Sequence, residues 1–299
     1  MNAPVQPLSG AKIWLLAARP KTLWAAVAPV LMGTAMAIAD GGFHLPSAFF
    51  ALLGAILIQI GTNFTNDYSD FLKGADTSAR KGPLRATQAG LVTPESMKRA
   101  TVVVFAMAVI SGVYLIWRGG WPVLAIGVVS IICGVLYTAG RYSLAYLGLG
   151  DLFVLIFFGP VAVGGTYYVQ TLTIAPVVLL VGVGAGLLSV TILLANNIRD
   201  VDEDRAANKR TLVVRFGRKF GVALYAFCLA GAATIAIGVS LLGPYSSWAA
   251  LAGLVPLIGV PSVRALATST EARALNPILG STARVLLLYS LVFSVGWVL

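Results

Sequence analysis

Two short stretches hold most of the acid in this chain. The first reads Asn63-Phe-Thr-Asn66-Asp67-Tyr68-Ser-Asp70, then runs through Lys73, Gly74 and Asp76 to Lys81-Gly82-Pro83-Leu84-Arg85. The second reads Asn196-Asn197-Ile-Arg199-Asp200-Val-Asp202-Glu203-Asp204-Arg205, with Lys209 and Arg210 just beyond. Of the 11 Asp and Glu in the chain, seven lie in these two places. Carboxylates that converge bind hard cations such as Mg²⁺, and such cations bind phosphate oxygens. Bases placed beside them suit the phosphate oxygens that a metal leaves free. Lys73, Lys81, Arg85, Lys209 and Arg210 are the candidates for that role.

Spacing gives each stretch a face. If the apolar run before it continues as a helix, Asn63, Asn66, Asp67 and Asp70 fall at i, i+3, i+4 and i+7. Asn197, Asp200 and Asp204 fall at i, i+3 and i+7. Asp202 and Glu203 then point elsewhere and read as solvated. Four carboxylates facing one space repel one another unless cations lie between them. Charges at a helix end beside a membrane are ordinarily just solvated loop, and for most of the basic residues that reading suffices. For Asp67, Asp70, Asp200 and Asp204 the repeated spacing and the scarcity of other acids favour a site. Asp151, at the start of a later apolar run, fits an intramembrane polar contact or a cap equally well.

These stretches must be positioned by membrane helices. The chain has 299 residues, 58% of them hydrophobic and 11% charged, where a soluble protein carries roughly 25% charged residues. Apolar runs long enough to cross a bilayer recur near residues 22–39, 47–65, 99–117, 121–139, 149–168, 174–195, 221–242, 247–266 and 281–299. The expected fold is all-α: a polytopic bundle of nine transmembrane helices in one domain over 1–299. Residues 1–14 read as a flexible cytoplasmic tail. Cys133 and Cys228 both lie in apolar runs, which argues for buried thiols and against a disulfide framework or a zinc site.

The net charge of +10 is explained by topology and calls for no nucleic acid. With the N-terminus in the cytoplasm, 20 of the 21 Lys and Arg fall on the inside and only Arg118 outside, as the positive-inside bias requires. Both acidic stretches then face the cytoplasm. Each follows an even-numbered span and four spans separate them, which hints at two four-helix halves plus a ninth helix.

The motifs carry a resemblance. Asn66-Asp67-x-x-Asp70 with a downstream Asp, and Asp200-x-x-x-Asp204, on nine apolar helices, resemble the UbiA superfamily of intramembrane prenyltransferases. The run Asn66 to Asp76 followed by Gly82-Pro83-Leu84-Arg85, the run Asn196 to Asp204 followed by Thr211-Leu-Val-Val-Arg215-x-Gly217, and Ala18-Arg19-Pro20-Lys21-Thr22 are similar to its 1,4-dihydroxy-2-naphthoate branch. Many superfamily members carry their third Asp where this chain has Gly74, and Asp76 stands two residues later. The resemblance implies a Mg²⁺-dependent enzyme of the inner cell membrane, its site facing the cytoplasm. It implies that a polyprenyl diphosphate binds through metal held by Asp67, Asp70, Asp76, Asp200 and Asp204 with Asn66 and Asn197. Transfer to dihydroxynaphthoate with loss of CO₂ would follow, Arg19 and Asn63 lying near the acceptor. Other acceptors, such as 4-hydroxybenzoate or homogentisate, remain open. An ion-coupled transporter is the rival class, but transporters place their acids near the bilayer midplane, and these sit at helix ends.

Overall fold

Prolines mark where the helices begin. Pro20, Pro46, Pro94, Pro122 and Pro176 each lie in the first turn of a helix, where a missing N–H costs nothing. The structure is a computed structural model that describes residues 9–75, 81–243, 246–269 and 271–299. Asp76 lies outside the described residues. The elements are α1 (Gly10–Ala18), α2 (Pro20–Ala39), α3 (Leu45–Leu72), α4 (Pro94–Gly119), α5 (Trp121–Leu136), α6 (Gly150–Thr171), α7 (Pro176–Arg199), α8 (Val201–Ala206), α9 (Leu212–Phe216), α10 (Arg218–Leu242), α11 (Ser247–Thr268) and α12 (Ala272–Val298).

Among the described residues, eight helices are long and apolar enough to cross a bilayer. The fourth expected span, 121–139, is instead α5, a shorter apolar helix of 16 residues. At 1.5 Å per residue that is about 24 Å, short of the ~30 Å hydrocarbon core. By the same arithmetic the 28 residues of α3 reach about 42 Å, long enough to carry Asp67 and Asp70 past a ~30 Å hydrocarbon core. Leu, Ile, Val and Trp side chains stand exposed along α4, α5 and α11, as lipid-facing surfaces do. The chain is an integral membrane protein.

The N-terminus departs from expectation. Residues 10–14 of the expected tail belong to helix α1, and residues 1–8 lie outside the described residues. Ala17 is buried with Phe64, Ala86 and Met97, and Ile13 and Leu16 pack on the same cluster. The Trp14 ring lies 5.5 Å from that of Phe64. An apolar face this short can fold only against a partner, and the polar end of α3 supplies one.

The last helix closes the bundle. α12 packs along α2, α7 and α11. Tyr289, Phe293 and Trp297 stack along it, and the Tyr289 hydroxyl donates to Ala232 O of α10 at 3.0 Å. α6 carries a wide π-type turn at Phe157–Val161, where Gly159 leaves helical geometry before Pro160. There α7 comes within backbone contact, as small residues allow. A Cβ on Gly182 would meet Pro160 Cα at 2.7 Å. Gly182→Ala is therefore expected to destabilise the folded protein by about 1–3 kcal/mol. Thermal unfolding in detergent checks this, and an unchanged midpoint would mean that α6 and α7 are not packed so closely.

Candidate active site

The ends of α3, α5, α7 and α12 and the loops around them meet at one end of the bundle. Asn63, Asn66, Asp67, Asp70, Asn197, Asp200 and Asp204 are all buried there. The two distant acidic stretches are brought together: Asp70 acts electrostatically on Asp204 and Lys209 across the site.

The four acids have different surroundings. Asp67 is 1% exposed, and its two oxygens accept the backbone N–H groups of Ala86 and Thr87, each at 3.0 Å. It fastens the loop after the first motif onto α3. Asp200 caps α7, where the helix breaks before α8. Arg199 grips it with two parallel hydrogen bonds, Nε to Oδ1 at 2.6 Å and the second guanidinium nitrogen to Oδ2 at 2.7 Å. Asp70 has looser company, with the Tyr146 hydroxyl at 3.4 Å and Arg85 at 3.8 Å. Asp204 receives Lys209 Nζ on Oδ1 at 3.1 Å, while its buried Oδ2 has no hydrogen-bond partner among the described residues.

Burial pushes the Asp204 carboxyl up to about 6, against the pull of Lys209. Burial alone would lower Lys209, but Asp204, Asp70 and Asp200 outweigh it and hold the ammonium above the ordinary lysine range. At neutral pH the pair is therefore charged on both sides.

Other candidates fall into place around this core. Asn66 Oδ1 accepts the Thr138 hydroxyl at 2.6 Å. Asn63 donates to Ala18 O and Thr22 Oγ1, and Arg19 donates to Asn63 O. Arg19 adopts a left-handed φ of 52° between α1 and α2, which turns the chain so that both residues reach this end. Lys73 turns aside to Thr138 O and Ser143 Oγ and lies over the Tyr146 ring at 4.0 Å. The Lys81 and Arg210 residues are exposed, and the described contacts of both are through the backbone: Lys81 N–H to Glu203 Oε1 at 2.8 Å, Arg210 N–H to Tyr146 O at 3.1 Å. Asn197 lines a small cavity beside Asp151 and Lys209.

One reading needs correction. Glu203 is not simply solvated: it ties the 81–85 loop to the second stretch, and Asn276 of α12 holds Lys81 O from the other side. Asp202 is exposed and pairs with Arg205, as its spacing implied. The 137–149 loop, which supplies Thr138, Ser143 and Tyr146, was not expected in the site. Its only signal in the sequence is a polar, Gly- and Tyr-containing run between two apolar ones.

Below this polar end lies an apolar cavity of about 390 Å³. Asn63, Asn66, Asn196 and Tyr137 line it along with Leu115, Val123 and Phe157. One wall is α5, which has no fully buried residue. Among the described residues no three acidic, histidine or cysteine side chains cluster as a ready-made metal cage. A Mg²⁺ ion needs none, since it takes one or two carboxylates together with water and substrate phosphates. The orphaned Asp204 oxygen and the loosely held Asp70 fit such an ion.

A membrane bundle with a charged, phosphate-suited end over an apolar pocket defines an enzyme for amphiphiles with an anionic head. The model of the UbiA prenyltransferase family matches residues 26–296. The chain belongs to that family and is a prenyltransferase. It is 36% identical to the 1,4-dihydroxy-2-naphthoate octaprenyltransferase of Escherichia coli (strain K12), over 97% of this chain and 96% of that protein. With the protein of the same name from Bacillus subtilis (strain 168) it shares 30% identity, over 99% and 94% of the two chains. Among solved structures, a UbiA homolog from Archaeoglobus fulgidus bound to GPP and Mg²⁺ superposes with a TM-score of 0.66 at 16% identity, over 94% of this chain and 99% of that one. Another from Aeropyrum pernix K1 gives 0.68 at 15% identity, over 92% and 96%.

Two outcomes are expected. Asp67→Asn replaces one of two acceptors with a donor facing a buried N–H. Limited proteolysis should then cut the 81–91 loop faster than in wild type, with membrane insertion unchanged. Equal cleavage would show that Asp67 does not hold the loop. Separately, kcat/KM for the prenyl diphosphate should rise as the pH increases through about 6, because Asp204 of the free enzyme must lose its proton to serve as a ligand. A profile flat between about pH 5 and 7 would place Asp204 outside the ionisations that matter.

Proposed function

We propose that the protein transfers a polyprenyl group from a polyprenyl diphosphate to 1,4-dihydroxy-2-naphthoate with loss of CO₂, giving the demethylmenaquinone skeleton. The observation that carries this is the meeting of both acidic stretches, with Lys209 and Arg85, above an apolar cavity. The names of the curated relatives at 30–36% identity supply the acceptor.

Asp70 and Asp204 would hold Mg²⁺, with Asn66 close by, and Asp76 is a further candidate. Asp67 and Asp200 build the frame around them. When bound, the metal would neutralise diphosphate charge and polarise the bridging oxygen as a Lewis acid. Arg85 and Lys209 offer N–H donors to the diphosphate oxygens, which gain charge as the allylic carbon–oxygen bond weakens. Lys73, Lys81 and Arg210 add positive charge at the rim. The prenyl tail lies in the apolar cavity, and α5 offers a wall that a lipid tail can pass. Apolar walls keep water from the electron-poor allylic carbon. Arg19 and Asn63, joined to each other, sit where an acceptor carboxylate can be met.

The distribution of basic residues supports an orientation in which this end faces the cytoplasm. One experiment tests substrate and orientation together. Inverted membrane vesicles containing the protein are given Mg²⁺, a polyprenyl diphosphate and dihydroxynaphthoate, and product is sought by mass. Decarboxylated, prenylated naphthoquinol is expected, detected as such or as the quinone after oxidation by air, lost on chelation, and slower to appear from sealed right-side-out vesicles. Product from 4-hydroxybenzoate or homogentisate in place of the naphthoate would overturn the acceptor. Equal rates in both vesicle types would overturn the orientation.

A further inference from the structure

One buried acid takes no part in the site described so far. Asp151 stands in the first turn of α6, 7% exposed, and its Oδ1 has no hydrogen-bond partner among the described residues. It lines a cavity of about 10 Å³ together with Tyr137, Asn197, Lys209 and Thr211. That is room for about one water molecule. Lys209 already donates to Asp204.

Tyr137 is the polar residue common to this small cavity and the large apolar one. Its hydroxyl lies against Gly150: a Cβ there would come within 2.9 Å of it. The absent side chain is what lets the hydroxyl approach the start of α6. Among the acids, Asp151 acts on Tyr137 more strongly than Asp204 or Asp70, and Arg19 acts on it from the acceptor side. A buried carboxylate oxygen and a tyrosine hydroxyl beside one water-sized space, with the tyrosine facing the reaction chamber, form a path for a proton.

We infer that Tyr137 receives the acceptor's hydroxyl proton during prenyl transfer, and that Asp151 is the positioning residue that takes up the proton Tyr137 gives away. The inference rests on the function proposed above. The acceptor's ring carbon that bears the carboxylate bonds to the allylic carbon. The allylic carbon–oxygen bond breaks, and its electron pair leaves on the diphosphate. The neighbouring acceptor hydroxyl becomes a carbonyl and releases its proton to Tyr137, whose own proton passes to Asp151, directly or through one water. Loss of CO₂ then leaves an electron pair that restores the aromatic ring, and the oxygen takes a proton back along the same path. The carboxylate enters ionised and leaves as neutral CO₂, so no net proton is consumed. A proton store of this kind needs no channel to bulk water, which suits a carboxylate this deeply buried.

The test uses the full chain in detergent or lipid discs, with Mg²⁺, a polyprenyl diphosphate and dihydroxynaphthoate. Asp151→Asn keeps the shape and the helix-start preference but cannot take the proton. Its kcat should fall roughly 100-fold or more, the scale of general acid–base catalysis, with KM for the prenyl diphosphate unchanged. Tyr137→Phe should fall similarly, and the double variant should be no slower than the slower single one, as for residues acting as a unit. A purely structural Asp151 would move stability and leave the two losses to multiply. An Asp151→Asn kcat within about twofold of wild type, or losses that multiply, overturns the relay alone. A wild-type protein that makes no naphthoate product overturns the proposed function as well.

Discussion

A carboxylate at the membrane end of a helix cannot remain alone, because burial without a partner costs several kcal/mol. The architecture of the polar end follows from this. Asp67 on α3 is satisfied by two backbone N–H groups, and those belong to a loop that would otherwise lie free. Fixing Ala86 and Thr87 brings Arg85 beside Asp70. Asp200 is satisfied by Arg199, its neighbour in sequence, and that guanidinium also reaches Asn276 of α12 at 3.3 Å. Asn276 in turn holds Lys81. The demands of two buried charges thus gather α3, α7, α12 and a loop into one rigid rim.

The two acidic stretches do comparable work in comparable ways. Each commits one acid to the frame, Asp67 or Asp200, and leaves another less engaged, Asp70 or Asp204. In each a base stands beside the less engaged acid: Arg85 at 3.8 Å and Lys209 at 3.1 Å. This division is the sequence-level repeat expressed as chemistry. It also accords with the lack, among the described residues, of a compact cluster of acids. Four close carboxylates would be unstable together without a cation between them.

Much of this was legible in the residues. Acids that are scarce and gathered at helical spacing pointed to the site, and apolar runs gave most helix bounds to within about five residues, although α3 runs seven residues past its apolar run and α12 starts nine before its own. Asn63 to Asp70 was readable because α3 really does continue as a helix beyond its apolar run. The second stretch was read less well. Periodicity assumes an unbroken helix, but the chain turns at Asp200, and that turn swings Glu203 toward the 81–85 loop. Periodicity also cannot distinguish a carboxylate that binds a ligand from one that binds backbone, so Asp67 and Asp70 looked alike. The 137–149 loop was missed because its role depends on contacts remote in sequence: Thr138 with Asn66, and Tyr146 with both Lys73 and Asp70. Residues 10–18 were missed because so short a segment is ordered by what it lies against, not by its own propensity.

The apolar cavity places a further demand on the rim. A prenyl tail is sheltered by packed helices, yet it must reach the cavity from the bilayer, so some wall has to be thinly packed. α5 meets that requirement: it is short, has no fully buried residue, and ends at Tyr137 and the 137–149 loop. Its polar end, by contrast, is tied down. Thr138 bonds Asn66 and receives Lys73, and the backbone of Tyr137 and Leu136 accepts N–H groups from Ala145 and Leu144 at 2.9 and 3.0 Å. The helix is therefore anchored where the chemistry occurs and loosely packed along the stretch that faces lipid. A single element can in this way admit an apolar chain along its length and keep Tyr137 fixed at the head of the cavity. The short length of α5 and the polar loop that follows it are two sides of the same compromise between access and precision.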